Sequence, residues 1–279
     1  MGFFRKFRNS SLTAADSTPA VKEGFHTTVS FANQKGGVGK TTSAVNTAAF
    51  LAKSGRKVLL VDDDPQGNAT SGLGISKKNI ACTLYDVMTS DAKASDAIQK
   101  TAVDNLFALP SGIDLVGAEL ELVNEERREF RIKDALDEVK NDYNYIIIDS
   151  PPSLGLLSVN ALCASDSVII PMLCEYYSLE GLSQLMNSVN LIKKMYNPGL
   201  DVLGILINMY DGRLNLTSQV IDEVKNHFSD KLFNTFIPRN IKLSEAPSFG
   251  IPVYKYDRYS KGALAYEAFV KELIERAEK

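Results

Sequence analysis

From Thr27 onward the chain alternates between short β-rich runs and longer stretches with helical periodicity. Three of the short runs are apolar without interruption, namely Val58–Val61, Ile146–Ile148 and Val168–Ile170. Strands that are apolar on both faces are typical of a parallel sheet covered by helices on each side. The pattern therefore predicts a doubly wound α/β fold, with a mostly parallel sheet flanked by helices and ligands at the carboxyl ends of the strands.

The pattern also places the individual elements. The predicted strands cover Thr28–Ala32, Lys57–Asp62, Asn105–Leu109, Tyr145–Asp149, Ser167–Pro171, Val202–Asn208 and Phe233–Ile237. The predicted helices cover residues 42–54, 114–141, 155–164, 178–196, 215–228 and 260–277. The chain shows no internal repeat, so residues 27–279 are expected to form a single domain.

Residues 1–26 are predicted to be a flexible basic and aromatic tail. Residues 9–20 are rich in Ser, Thr and Ala and have no apolar period, so they cannot support a core. In a helix, Phe3, Phe4 and Phe7 would share one face, with Arg5, Lys6 and Arg8 beside them. Such a segment (residues 1–8) can contact an anionic membrane, DNA or a partner. The plainer alternative is a solubilising leader, since chain termini are usually loosely held.

Composition limits the classes of function. The chain has 31 Lys and Arg against 34 Asp and Glu, so its net charge is 31 − 34 = −3. Nucleic-acid binding would therefore need a local basic patch or one completed by dimerisation. Three cysteines without CxxC spacing do not form a disulfide framework or a metal finger, which favours a reducing cytoplasm. The basic N-terminus has no apolar core of a signal peptide, so export is not expected.

A glycine-rich loop follows the first strand and opens the first helix. Gly39-Lys40-Thr41 matches the end of the P-loop pattern G-x-x-x-x-G-K-[ST], but Gln34 stands where the first Gly belongs. Gly36, Gly37 and Gly39 let backbone N–H groups close around phosphate oxygens. The helix that starts near Thr41 directs its positive end at the same phosphates. Lys40 is placed to reach the β- and γ-phosphates, and the Thr41 hydroxyl to bind Mg²⁺.

Two acidic clusters complete the predicted site. Asp62, Asp63 and Asp64 follow one apolar strand, and Asp149 follows another. An Asp at the carboxyl end of a parallel strand beside a P-loop lies where Mg²⁺ and its waters must be held, which assigns that role to Asp149. Hydrolysis also needs a group that orients water. Alternation along the strand predicts that Asp63 is an exposed bystander and that a neighbour acts, Asp64 being the better candidate.

These motifs together resemble the ParA/Soj family of deviant Walker A ATPases, a superfamily that includes MinD. The similarity runs from Thr28 to the C-terminus. It includes NQKGGVGKTTSAVN (33–46), VDDDPQGNATSGLG (61–74), IIIDSPPSLG (146–155), ILIN (205–208) and IPRNIKLSEAPSFGIPV (237–253). Five blocks in order are specific to this family, and the likeness is to members that lack a helix-turn-helix extension. One departure is Asp63, because that position is often apolar or small in the family.

The resemblance implies roles for individual residues. Lys35 resembles the signature lysine, which reaches the partner subunit's phosphates across an ATP sandwich dimer, and Asp64 the residue that positions the attacking water. The implied ATP-binding residues are Gly36, Gly37, Val38, Gly39, Lys40, Thr41, Thr42, Asn208, Pro238, Arg239 and Asn240. The implied metal residues are Thr41, Asp62 and Asp149. Arg213 and Lys242 match positions that carry DNA-contacting basic residues.

The resemblance also implies the biology. Family members use ATP and Mg²⁺, form homodimers with ATP, bind double-stranded DNA without sequence preference and lie on the bacterial nucleoid. A ParB/Spo0J-like centromere-binding protein stimulates their hydrolysis. The sequence therefore predicts an ATPase for chromosome or plasmid segregation. Three alternatives stay open: a MinD-like membrane-cycling ATPase, an electron-transfer ATPase resembling the nitrogenase iron protein, and a non-enzymatic regulator.

Overall fold

The computed structural model describes residues 21–22 and 24–279 of the chain. One sheet in this part of the chain contains seven strands. They are β1 (Thr27–Phe31), β2 (Val58–Asp62), β3 (Gln99–Lys100), β4 (Leu106–Leu109), β5 (Tyr145–Asp149), β6 (Ser167–Leu173) and β7 (Asp201–Asn208). Their spatial order is β3-β4-β2-β5-β1-β6-β7, and only the pairing of β3 with β4 is antiparallel.

Helices connect the strands and cover both faces of the sheet. They are α1 (Lys40–Lys53), α2 (Asn68–Gly72), α3 (Leu84–Thr89), α4 (Ala94–Ala97), α5 (Leu115–Glu121), α6 (Arg131–Asp137), α7 (Leu156–Ala164), α8 (Tyr176–Met195), α9 (Asn215–Phe228), α10 (Ile241–Glu245), α11 (Val253–Tyr256) and α12 (Lys261–Ala277). Short 3₁₀ turns lie at Lys77–Asn79, Leu122–Asn124, Arg128–Phe130, Lys140–Asp142 and Ala246–Phe249.

Strand alternation divides the core between the two faces of the sheet. On β2, Val58 and Leu60 pack with α1 and α12, whereas Leu59 and Val61 pack with α3, α5, α6 and α7. All five residues of β2 and of β5 are buried, because helices cover both faces at these central positions. The predicted doubly wound α/β fold is therefore confirmed.

Two predicted elements were wrong. The helix predicted over 114–141 is divided into α5 and α6 by 3₁₀ turns and by Arg127, which has a φ of 57°. Asn160 on α7 holds this break, since its side chain accepts from the Ile132 N–H and donates to the Arg128 carbonyl. The strand predicted at Phe233–Ile237 makes only scattered bonds to β7, because the Glu272 carboxylate takes the N–H groups of Asn234 and Thr235.

The two ends of the described chain meet at the amino ends of the strands. Phe25 packs on Tyr145, and the Lys22 ammonium donates to the Glu278 carbonyl. The Glu278 carboxylate is buried, and it accepts from the fully buried Arg56 guanidinium and from the Tyr145 hydroxyl. The last residues of the predicted tail therefore contact the domain, while residues 1–20 lie outside the described part.

Candidate nucleotide-binding site

The loop between β1 and α1 has the backbone shape that its glycines predict. Gly37 and Gly39 have φ values of 74° and 86°, a region that side chains rarely adopt. A Cβ on Gly39 would also lie 2.8 Å from the Asn208 amide nitrogen. Gly36 and Gly37 are exposed, whereas Val38 is buried and holds the loop to the core. The loop is thus anchored on one side and open on the other.

Lys40 lies at the centre of this loop, at the first position of α1. Its ammonium donates to the Lys35 carbonyl at 3.2 Å, and the residue is buried. Burial lowers the pKa of Lys40, while the nearby Asp149 and Asp64 carboxylates act in the opposite direction. A buried ammonium that has only a carbonyl partner at this distance suits an anionic ligand, since a phosphate would supply the missing charge.

Asp149 ends β5 beside Thr41, and it is fully buried. Neither of its carboxylate oxygens has a hydrogen-bond partner of normal geometry. Burial and the neighbouring Asp62 raise its pKa well above the usual range, whereas the Thr41 hydroxyl and Lys40 act against this. A buried carboxylate that has both oxygens free fits a bound cation. Among the described residues no group of three or more His, Cys, Asp or Glu is arranged to hold a metal.

Asp62 and Asp64 differ from Asp149 because each accepts hydrogen bonds through at least one carboxylate oxygen. The Asp62 carboxylate accepts from the Thr70 N–H at 2.7 Å and from the Thr70 hydroxyl at 2.6 Å. Burial raises the pKa of Asp62 to about 6, although the bonds from Thr70 lower it. One oxygen of Asp64 accepts from the Gln66 N–H at 2.9 Å. The geometry therefore favours Asp149 over Asp62 as the carboxylate available to a metal.

The prediction that Asp63 is exposed was wrong. Asp63 has no exposed surface, and neither of its oxygens has a hydrogen-bond partner. Alternation does direct it away from Asp62, but the opposite face of the sheet is covered by α5 and α7 rather than by solvent. Burial, followed by Asp62, Asp64, Asp149 and Glu119, raises its pKa well above the usual range. These surroundings therefore disfavour the ionised form of Asp63.

A cavity of about 400 Å³ lies beside the loop, on the side of β7. Asn208 anchors its wall, because its amide donates to the Val38 carbonyl at 2.8 Å and to the Ser43 hydroxyl at 3.0 Å. The Asn208 amide oxygen is buried and unpartnered, so it can accept from an amino group. The cavity lining includes Gly39, Thr42, Asn208, Met209, Pro238, Arg239 and Asn240. The structure therefore brings Asn208 and residues 238–240, all implied by the resemblance to bind ATP, to one cavity next to the phosphate loop.

Lys35 lies at the outer rim of the loop, apart from Lys40. Its backbone N–H donates to the Asn33 side chain at 3.0 Å, and Asn33 is in turn fixed by the Pro171 carbonyl. Its exposed ammonium forms an ion pair with Glu175, just before α8. This places the charge of Lys35 outside the loop that encloses Lys40.

The two predicted DNA-contacting residues lie in neighbouring segments, Arg213 in the loop before α9 and Lys242 in α10, and each is paired with an acidic residue. The Arg213 side chain is 88% exposed and makes a two-pronged contact with Asp211, at 2.8 and 2.6 Å. The Lys242 ammonium bonds Glu245 at 2.8 Å and lies 5.3 Å from the centre of the Tyr256 ring. The two segments meet where the Arg239 N–H donates to the Tyr210 carbonyl. The surface is thus neutralised locally in this state.

Several residues of the site were missed from sequence. Thr70 secures Asp62, and the Ser111 hydroxyl donates to the Asp64 carbonyl at 3.0 Å. Glu175 holds Lys35, and Asp211 and Glu245 neutralise the outer cations. Asp211 and Glu245 stand two and three residues from their partners, so sequence spacing could have indicated them. Thr70 lies eight residues from Asp62, whereas Ser111 and Glu175 lie 47 and 140 residues from their partners.

Comparison with known proteins agrees with this geometry. A family profile described as an AAA domain matches residues 26–202. The Soj sporulation initiation inhibitor of Bacillus subtilis is 56% identical over 88% of this chain and 97% of its own length. The ParA chromosome partitioning protein of Myxococcus xanthus is 52% identical over 89% of this chain and 88% of its own length.

Several solved structures have the same fold as this chain. An ATP complex of McdA from Cyanothece has a TM-score of 0.81 and 26% identity, and the alignment covers 90% of this chain and 98% of that one. A cobyrinic acid a,c-diamide synthase from Mycobacterium smegmatis, with bound ADP and magnesium, has a TM-score of 0.80 and 35% identity, with 91% and 96% covered. The cell division ATPase MinD from Pyrococcus furiosus has a TM-score of 0.73 and 28% identity, and the alignment covers 91% of this chain and 99% of that one.

The phosphate loop, its two lysines and the parallel sheet define a P-loop nucleotide-binding protein of the deviant Walker A class. The chain belongs to the Soj/ParA family of chromosome-partitioning ATPases, within the ParA/MinD superfamily. These relatives give no better support to the MinD-like alternative. None of the helices in residues 21–22 and 24–279 is both long and apolar enough to cross a membrane.

Proposed function

We propose that this protein is an ATP-driven switch for chromosome or plasmid segregation, which hydrolyses ATP with Mg²⁺ to ADP and phosphate. The observation that carries the proposal is the separation of its two loop lysines. Lys40 is buried inside the phosphate loop, while Lys35 is exposed at the rim, where a second subunit can approach it. A loop that serves one subunit with one lysine and its partner with the other couples ATP binding to dimerisation.

Nucleotide binding is assigned to the loop and to the adjacent cavity. The N–H groups of residues 36–42 and the Lys40 ammonium would hold the phosphates, and the Asn208 amide oxygen would accept from the adenine amino group. Asp149 and the Thr41 hydroxyl would hold Mg²⁺, which neutralises phosphate charge. Asp62 was also predicted to bind the metal, but its contacts with Thr70 support a role in holding α2 against the site.

Hydrolysis is assigned to Asp64. The residue follows closely on β2, and the effect of its charge on the Lys40 ammonium supports this assignment. The backbone of Asp64 is held at its carbonyl, which accepts hydrogen bonds from the Ser111 hydroxyl and from the Gly67 N–H. A fixed carboxylate of this kind can orient a water molecule for attack on the γ-phosphate. Lys35 from the partner subunit would stabilise the charge that develops.

DNA binding is assigned to the neighbouring segments that carry Arg213, in the loop before α9, and Lys242, in α10. A homodimer would double this small basic surface, and binding to phosphates would be without sequence preference. The ATP-bound dimer would thus lie on the bacterial nucleoid, and hydrolysis stimulated by a ParB/Spo0J-like protein would release it from the DNA. The names of the relatives support this role in partition.

The experiment that tests the proposal measures ATPase rate and sedimentation. Turnover should rise when double-stranded DNA and the cognate ParB-like protein are both present. The protein should pellet with DNA in ATP and not in ADP. Parallel samples with anionic vesicles distinguish the MinD-like alternative: ATP-dependent pelleting with lipid and not with DNA would overturn the partition proposal.

A further inference from the structure

The segment around α5 carries an exposed row of apolar side chains. Ile113, Val116, Leu120 and Val123 are 66%, 48%, 75% and 50% exposed. Their spacings of three, four and three residues place them on one side of a helical turn. Single exposed apolar residues are ordinary, but a contiguous row at helical spacing indicates an interaction surface. We call these four residues the α5 stripe.

The α5 stripe is not the face by which α5 joins the domain. Leu115, Ala118 and Leu122 form that face, and they are buried in the core beneath the sheet. The segment is therefore apolar on two sides, one of which faces outward. The outward apolar side does not contribute to the folding of the domain, which indicates that another segment or molecule covers it.

The segment that carries the α5 stripe is acidic, and one cation reaches it from outside, the Arg128 guanidinium, which donates to the Val123 carbonyl. Residues 113–126 contain five carboxylates and no Lys or Arg, which gives a formal charge of 0 − 5 = −5. The carboxylates are Asp114, Glu119, Glu121, Glu125 and Glu126. Two of them have contacts within the described part of the chain, Glu121 with the Tyr85 hydroxyl and Glu125 with Arg131. The surface therefore fits a segment that is both apolar and basic.

The chain itself contains such a segment. Residues 1–8 read MGFFRKFR, with three Phe, three basic side chains and no acidic one. This leader lies outside the described residues. We propose that the leader docks on the α5 stripe of its own chain, with Phe3, Phe4 and Phe7 on the apolar row and Arg5, Lys6 and Arg8 on the acidic rim.

The length of the intervening chain permits this contact. Residues 21–26 lie at the amino ends of the strands, whereas α5 begins after β4, at the carboxyl ends. Five-residue strands such as β1 span about 17 Å at about 3.3 Å per residue. The 13 residues from Arg8 to Val21 reach up to about 43 Å when extended. The tail is therefore long enough to pass along the domain to α5.

The α5 stripe adjoins both strand-end loops of the nucleotide site. The turn that leads into α5 contains Ser111, which bonds the Asp64 carbonyl. Further along, a Cβ on Gly155 would lie 2.3 Å from the Glu119 carboxylate, so α5 touches the loop that follows Asp149. The docking itself does not depend on the proposed ATPase cycle.

Fluorescence of the full-length chain tests the proposal, because the protein contains no Trp. In the Phe4→Trp variant, the leader carries the sole Trp. Its emission should lie at shorter wavelength than that of a solvent-exposed Trp. Adding Leu120→Glu should shift the emission to the exposed value. The matched control is Leu191→Glu, on α8, where the native side chain is likewise exposed at 57% and the emission should not change.

Four outcomes would overturn the proposal. The first is emission at the exposed wavelength in Phe4→Trp alone, and the second is an equal response to Leu120→Glu and Leu191→Glu. The third is a short-wavelength emission that is lost on dilution, which would assign the contact to a second copy of the chain. The fourth is a shift that appears only with anionic vesicles, which would assign the leader to a membrane. Circular dichroism of each variant checks that the fold is retained.

Discussion

The cation inside the phosphate loop and the cations outside it are held in different ways. Lys40 is buried and bonds a backbone carbonyl. Lys35, Arg213 and Lys242 are exposed to differing degrees, and each forms an ion pair with an acidic side chain. Within the described part of the chain, the inner lysine thus has no carboxylate in direct contact, while each outer cation has one.

The inner lysine therefore belongs to a site that is preorganised for its ligand, whereas the outer cations form ion pairs that can be exchanged for other partners. Burying an ammonium without a direct counter-ion is costly, and a bound phosphate removes that cost, so the inner site favours nucleotide strongly. Exposed ion pairs contribute about 0–1 kcal/mol, so an outer cation can leave its partner for a phosphate or for a second subunit. Substitutions at the inner site should therefore have large effects and substitutions at the outer one small effects.

The largest effect is expected for Asp64→Ala. Loss of the group that orients water should lower ATP turnover by about 10²–10⁴-fold, while the ATP-bound dimer accumulates on DNA. The backbone bonds to Ser111 and Gly67 do not involve the side chain and should persist. Turnover is measured by phosphate release and the dimer by sedimentation, with Asp91→Ala as the exposed control. Unchanged turnover in Asp64→Ala would remove this residue from the mechanism.

Lys40→Ala should weaken ATP binding by at least about 30-fold. Truncating one partner of a buried charge contact costs about 2–5 kcal/mol, and 1.4 kcal/mol corresponds to a factor of ten. Calorimetric titration with ATP and Mg²⁺ measures the change. Lys53→Ala, at the other end of α1, is the matched control and should bind normally. Equal binding by the Lys40 and Lys53 variants would contradict the distinction between inner and outer cations.

Asp63→Asn should stabilise the protein, increasingly as pH rises. The folded-state pKa of Asp63 is raised, so the folded protein holds a proton that the unfolded chain loses above about pH 4. Between these two pKa values the native protein loses up to about 1.4 kcal/mol per pH unit, a cost that Asn avoids. Thermal unfolding between pH 4 and 8, without magnesium, measures this difference. A gain that did not change with pH would refute a neutral Asp63.

Arg213→Ala should weaken DNA binding by a moderate amount and leave dimerisation intact. One phosphate contact fewer should reduce the slope of log affinity against log salt by about 1. Asp211→Asn should have the opposite effect, because it frees the guanidinium. Fluorescence anisotropy over a salt series gives both slopes. The exposed Lys225→Ala on α9 serves as the control, and a slope shared by Arg213→Ala and wild type would exclude Arg213 from the DNA surface.

The smallest effect is expected for Glu175→Gln. Releasing Lys35 from an exposed ion pair should favour the ATP dimer by no more than about fivefold, or about 1 kcal/mol. Analytical ultracentrifugation across an ATP series measures the midpoint of dimerisation. Glu180→Gln, one turn further along α8, should not move it. A weaker dimer in Glu175→Gln would instead show that this carboxylate assists the interface.

Strand positions were predictable because the signal is local. The runs that form β2 and β5 are apolar throughout, and the glycines of the phosphate loop occupy positions that require them. The position of Asp149 at a strand end was predictable for the same reason, because this residue directly follows an apolar run. The two-residue β3 and the break between α5 and α6 have no such signal. The break depends on Asn160, a residue of a different helix.

The sequence by itself therefore determined the class of fold, the phosphate loop and the strand-end carboxylates, because each arises from neighbouring residues and from periodicity. Only the tertiary structure decided which groups meet. It paired Lys35 with Glu175 and joined Asn208 to the phosphate loop across 170 residues. It also buried Asp63, whose exposure depends on whether a helix covers that face of the sheet. Alternation gives the side of a strand on which a residue lies, whereas packing decides what lies opposite.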